Sequence, residues 1–229
     1  MHGPQQIARP VSYRRAGEVG LAAIVLVGVV AVLGVVSTWA TWNAYWVVAD
    51  YVAGGAGVTD ADVAAADDLV STTAAVYLLA LVAAGVVFIV WLWRVRLNAE
   101  ILCRAPHRLG RGWATGSWIC PVVNLWFPFM IVDDVYRASR PTNVPDLFDL
   151  RSVPWSRWLG LWWALWLGGL ALDWIDFYVW HYVEGVESLR TAGIVEAIES
   201  VLTVGAAVAL AMIVRQIGGW QDGRIARTA

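Results

Sequence analysis

Four long stretches nearly free of charge, residues 16–49, 69–93, 155–183 and 201–214, constrain this chain more than any other feature. A helix needs roughly 20 mainly apolar residues to cross about 30 Å of hydrocarbon, where each backbone N–H and C=O must be paired within the protein. Three of the stretches reach that length outright, and the last does so if it begins near Ile194, with Glu196 and Glu199 in its first turns. Overall, 59% of the residues are hydrophobic and 15% charged, against about 25% charged in a soluble domain. The expectation is an all-α integral membrane protein, a single domain over residues 1–229, with helices crossing at about 19–46, 69–93, 157–181 and 194–217. A cleavable signal peptide would be a short apolar run before a small-residue site; the first run is long and others follow it, so it reads as a retained helix.

Charge sorts by loop. Arg9, Arg14 and Arg15 precede the first span, and Asp50, Asp60, Asp62, Asp67 and Asp68 separate the first two with no basic residue among them. The middle segment carries Arg94, Arg96, Arg104, Arg108, Arg111, Arg137, Arg140, Arg151 and Arg157. Glu184, Glu187, Glu196 and Glu199 follow the third span with Arg190 alone, and Arg215, Arg224 and Arg227 close the chain. Basic flanks stay on the cytoplasmic side, so both termini are expected inside a bacterial cytoplasmic membrane. Trp39, Trp42, Tyr45 and Trp46 at one end of the first helix, and Trp91, Trp93, Trp155 and Trp158 at the other side, read as headgroup-level aromatics. Trp162, Trp163 and Trp166 read as packing between helices.

All 16 basic residues are arginine, which reads as compositional bias, and they do not form a stripe of the kind that binds nucleic acid. Cys103 and Cys120 lack CxxC spacing, so neither a metal site nor a disulfide is expected.

The middle segment is the most informative. Arg94, Asn98 and Leu102 continue the second helix, with Arg96 spaced to pair with Glu100, and the helix should stop before Pro106. The turn-forming stretch with Arg104, Arg108 and Arg111 suits anionic headgroups. Residues 118–132 are apolar but too short to cross and are interrupted by Pro121, Asn124 and Pro128. The element at 113–139 therefore reads as a Pro-broken re-entrant or interfacial helix, with Asn124 placed to satisfy freed carbonyls and Asp134 able to face Arg137 or Arg94.

These residues resemble the DUF4328 family of actinobacterial membrane proteins. The likeness rests on Trp91, Arg94, Asn98 and Ala99; on Gly112 and Trp113; on Trp118, Pro121, Asn124, Leu125, Trp126 and Pro128; and on Asp134, Arg137, Ala138 and Ser139. Ile119 and Tyr136 stand where the family usually has an aromatic and a Trp. The resemblance implies a polytopic membrane protein and brings no activity with it.

Asp173 and Asp176 lie three apart on one face of the third span, and a carboxylate in hydrocarbon normally faces the bundle interior or a wet cavity. With His181, Glu196 and Glu199 they either form an outward acidic vestibule for a cation or proton, or simply sit at headgroup depth. No nucleophile elbow, HExxH pair, P-loop or dinucleotide fingerprint is present. Gly28, Gly34, Gly85, Gly168, Gly169 and Gly205 read as close helix contacts.

The expected role is thus a non-enzymatic scaffold or accessory subunit without cofactor, contacting the bilayer, its anionic headgroups, and a membrane protein partner or further copies of itself. Two alternatives stand beside it: a small transporter or channel using Asn124, Asp173 and Asp176, and an intramembrane enzyme acting on lipid.

Overall fold

A computed structural model describes residues 13–55, 57–142 and 147–225. Arg9 and Arg227, counted above among the basic flanks, lie outside them. The described residues hold α-helices and short 3-10 turns and no strand: α1 (Gly17–Val52), α2 (Asp60–Leu102), α3 (Trp113–Ile119), α4 (Phe127–Ser139), α5 (Arg157–Tyr182) and α6 (Val186–Ile225). Of these, α1, α2, α5 and α6 are long and apolar enough to cross a membrane, and the chain is a multi-pass membrane protein.

Local chemistry sets the ends of the helices. The α1–α2 reversal passes through Gly54 at φ 74° and Gly57 at φ 127°, a left-handed backbone that glycine adopts without steric cost. Thr59 then starts α2 as a capping box, its backbone N–H donating to the Asp62 carboxylate at 2.8 Å. At the far end α2 stops at Leu102, before Pro106 as its sequence predicts, and Arg96 meets Glu100 at 2.9 Å. Pro128 sits in the first turn of α4, where a missing N–H removes no helical bond. Ser156 caps α5 by accepting from the Trp158 N–H at 3.2 Å.

α1 packs along α2 on one side and along α6 on the other, and α5 packs along α6. The spans therefore run in the order α2, α1, α6, α5, leaving α2 and α5 at the two ends of the row. At the arginine-rich end α3 and α4 fill the space between them, and Phe88 of α2 reaches Trp162 of α5 with ring centres 6.3 Å apart. The core lies in this half. Trp91, Leu92, Val95, Val132, Val135, Leu159, Ile213 and Ile217 are all fully buried there. Trp91 is therefore a core residue and not the headgroup anchor its position in sequence suggested. Trp39, Trp46 and Trp155 do face outward. Trp162, Trp163 and Trp166 of α5 meet Phe88 of α2, Phe129 of α4 and Trp118 of α3 with ring centres 6.3, 6.1 and 6.0 Å apart, so this cluster serves helix packing.

Leu21, Val25, Val32, Leu78, Leu79, Val82, Val86 and Val208 are exposed on the outside of the spans. A continuous apolar exterior of this kind is a surface for lipid tails. The glycines divide. A Cβ on Gly205 would lie 2.9 Å from Leu165 and one on Gly168 3.1 Å from Leu202, so both mark close α5–α6 approach. Gly34 faces Tyr77 and Ser200 at 3.6 and 3.7 Å. Gly28, Gly85 and Gly169 have open space beside them and make no such contact, because they fall on the outer faces of their helices.

Candidate functional site

The Pro-broken element is a sequence of three pieces. α3 ends at Cys120, Pro121 opens a turn in which the Asn124 N–H donates to the Cys120 carbonyl at 3.0 Å, and α4 restarts at Phe127. Trp118 is half-buried, edge-on to Phe88 at 5.5 Å and to Trp166 at 6.0 Å, which ties α3 to α2 and α5. Pro128 is buried, whereas Trp113, Ile119, Pro121, Val122, Leu125 and Trp126 are exposed along the other face. Asn124 departs from expectation: its backbone closes the turn, but its side-chain oxygen is buried with no hydrogen-bond partner among the described residues.

Behind this element lies a network of charges. Arg108 donates from Nε to Asp134 at 2.7 Å and from a terminal nitrogen to Asp133 at 2.7 Å, while its backbone N–H donates to Asp134 at 2.8 Å. Arg137 donates to Asp133 at 2.8 Å and to the Val153 carbonyl at 2.7 Å, fastening the loop before α5. Burial pushes the Asp134 carboxyl above the usual carboxylate range, and the bonds from Arg108 oppose that rise. Asp134 thus faces Arg108, not Arg137 or Arg94; the α2–α3 loop carries Arg108 over α4, while Arg94 reaches out to the Arg15 carbonyl at 3.2 Å. Asn98, fully buried, exchanges hydrogen bonds with the Arg14 backbone at 2.8 and 3.0 Å and donates to Gln221 at 3.0 Å. Gln221, also fully buried, donates onward to Ser139 at 2.8 Å and to the Val95 carbonyl at 3.0 Å. These residues bind elements to one another.

At the opposite, acid-rich end the space between α2 and α5 is a cavity of about 290 Å³. All four spans line it: Thr38 from α1, Tyr77 from α2, Asp173 and Asp176 from α5, and Glu196, Glu199 and Ser200 from α6. Among the described residues no basic one does. Thr41, fully buried, donates to Glu196 at 3.0 Å, and Thr38 meets Ser200 at 2.9 Å. The side chains of Asp173 and Glu199 come within hydrogen-bonding reach across the α5–α6 seam. His181, grouped with these acids from the sequence, does not join them. It is exposed, its Nδ1 is bonded to the Phe177 carbonyl at 2.7 Å, and its ring lies 4.0 Å from that of Phe177. Among the described residues no three His, Cys, Asp or Glu side chains are close enough to hold a metal ion.

Residues 54–219 match the family model for a domain of unknown function, DUF4328. The chain belongs to the DUF4328 family. No curated protein and no solved structure matches it. The DUF4328 region contains α2 to α5 and most of α6, and with them the Arg108–Asp133–Asp134–Arg137 network and every acid of the cavity. α1, which supplies Thr38, lies before it, and Gln221 lies just beyond it. Asp133, Tyr77 and Gln221 were not singled out from the sequence, and Arg108 was read there as a headgroup contact, not as the partner of Asp133 and Asp134. Arg108 reaches Asp133 across 25 positions and Gln221 reaches Ser139 across 82, and only the acidic pattern of α5 and α6 signalled that a site was present.

Proposed function

We propose that the chain is a small transporter of the bacterial cytoplasmic membrane that moves a proton or a cation, with both termini inside and the acidic cavity open to the outside. The observation that carries this reading is the meeting of Asp173, Asp176, Glu196 and Glu199 with Thr38, Tyr77 and Ser200 in one cavity that no basic residue lines among those described. Acidic groups inside a span are costly and normally mark an ion or proton path. The repulsion between facing carboxylates such as Asp173 and Glu199 is relieved by a proton or a cation between them. A proton, or a cation too large for a compact metal shell, fits better than a bare metal ion, since no three-ligand group is present among the described residues. Toward the arginine-rich end the bundle is filled by Phe88, Trp91, Trp162 and Trp163, which supports movement of α5 against its neighbours over a standing pore. The orientation rests on the distribution of arginine between loops.

The test is flux into liposomes carrying a pH dye or a potassium dye. Wild-type protein should exceed protein-free vesicles, and Asp173→Asn and Glu199→Gln should return the rate toward background. Background flux in the wild type would overturn the proposal.

A second reading, a non-enzymatic scaffold or accessory subunit, is favoured by the exposed apolar face of Ile119, Val122, Leu125 and Trp126. It predicts a partner that co-purifies in mild detergent and is released by Leu125→Asp.

A further inference from the structure

Beyond the last turn of α2 the chain doubles back over its own helix. Arg96, whose side chain is 4% exposed, donates to the Leu109 carbonyl at 2.8 Å and pairs with Glu100 at 2.9 Å. Arg111 grips the other oxygen of Glu100 at 2.6 Å from Nε and at 2.5 Å from a terminal nitrogen. The loop thus closed encloses a cavity of about 380 Å³, lined by Arg96, Glu100, Cys103, Arg104, His107 and Arg111 among others.

The charges around this cavity do not balance. Three guanidinium groups face one carboxylate, and both oxygens of that carboxylate are already engaged by Arg96 and Arg111. Arg108, the next basic residue along, is withdrawn to Asp133 and Asp134. Arg104 is exposed at the rim and makes no hydrogen bond or ion pair among the described residues. His107 adds no charge, because burial, aided by Arg96 and Arg108, pushes its imidazole down to about 4. An anion entering here would find the planar donors of Arg104 and Arg111, which suit phosphate oxygens.

The position suits a membrane surface. Arg96 and Glu100 lie three and seven residues past Trp93, about 4 to 10 Å farther along α2, and Arg104 follows in the loop just after the helix ends at Leu102, a stretch at headgroup depth and just beyond. Ile101 and Trp113 are exposed beside the cavity, 43% and 39% respectively, an apolar surface next to the charged one. Basic pockets of this kind at helix ends take lipid headgroups.

We propose that this cavity binds a phosphate-bearing anion, with Arg104 and Arg111 as its principal ligands. The site is separate from the acidic cavity and independent of the transport reading.

The experiment is calorimetric titration of the full chain in neutral detergent with short-chain phosphatidylglycerol, short-chain phosphatidylcholine and inorganic phosphate. Phosphatidylglycerol should bind more tightly than phosphatidylcholine. Competition by inorganic phosphate identifies a site for free phosphate, and its absence identifies a lipid headgroup site. Arg104→Gln, a change at an exposed residue without a partner, should weaken binding about tenfold, the loss of one charge-assisted contact. Arg104→Gln with Arg111→Gln should abolish it while the elution profile is unchanged. Equal binding of phosphatidylglycerol and phosphatidylcholine with none of inorganic phosphate, or equal affinity of wild type and Arg104→Gln, would overturn the proposal.

Discussion

The side-chain amide of Gln221 donates to the Ser139 hydroxyl at 2.8 Å, joining the last turns of α6 to the end of α4 across 82 residues of sequence. The same side chain accepts from Asn98 at 3.0 Å and donates to the Val95 carbonyl at 3.0 Å, so three helices and the segment before α1 meet at one buried amide.

Replacing Gln221 by Leu should therefore destabilise the protein by on the order of 3 kcal/mol, since it leaves one N–H of the Asn98 amide, the Val95 carbonyl and the Ser139 hydroxyl without their Gln221 partner. Thermal unfolding in detergent reads this. The N-terminal segment should loosen as well, visible as faster amide exchange at Arg14, because Asn98 holds it.

Asp134→Ala leaves Arg108 half-neutralised beside a buried Asp133. A loss of about 3 kcal/mol is expected, in the range for breaking one partner of a buried pair. Asp134→Asn, which retains an acceptor oxygen, should lose less. Equal stability of Asp134→Ala and the wild type would show that Arg108 finds its partners elsewhere.

His107 makes stability depend on pH in a defined window. Its folded value of about 4 lies below the ordinary 6.5, with Arg96 and Arg108 opposing the proton and Glu100 favouring it. The unfolded chain binds a proton first, so this contribution is complete above about pH 7. It is lost as the pH falls from 6.5 toward 4, by up to about 3 kcal/mol. His107→Phe should flatten that slope; an unchanged slope would assign it to other groups.

Two glycines in the spans should behave differently. Gly205→Leu forces a side chain onto Leu165 and should cost about 1–3 kcal/mol. Gly28→Leu meets open space and should be silent in melting temperature, or slightly stabilising through helix propensity.

What could be read from the sequence, and what could not, follows from the range over which each pattern acts. Runs of apolar residues and the Arg96–Glu100 spacing are local, so the long helices, the end of α2 and the broken element were all legible. The glycines show where this fails: composition marked Gly28 and Gly205 alike, and only the direction each faces separates them. Arg108 finds Asp134 across 26 positions and Asn98 finds Gln221 across 123, distances at which no helical periodicity survives. Asp173 and Asp176 announced themselves as acids in an apolar run, yet His181 could be excluded only once its ring was seen turned onto Phe177.

α1 has 36 residues, about 54 Å of helix at 1.5 Å per residue, and the hydrocarbon layer takes up about 30 Å of that. The excess length, together with the start of α2, would stand clear of the lipid, ending in a tip turned by Gly54 and Gly57. Such a tip is suited to accept an epitope or a fluorescent reporter without disturbing the buried helices, which offers a direct handle on which side of the membrane the acids face.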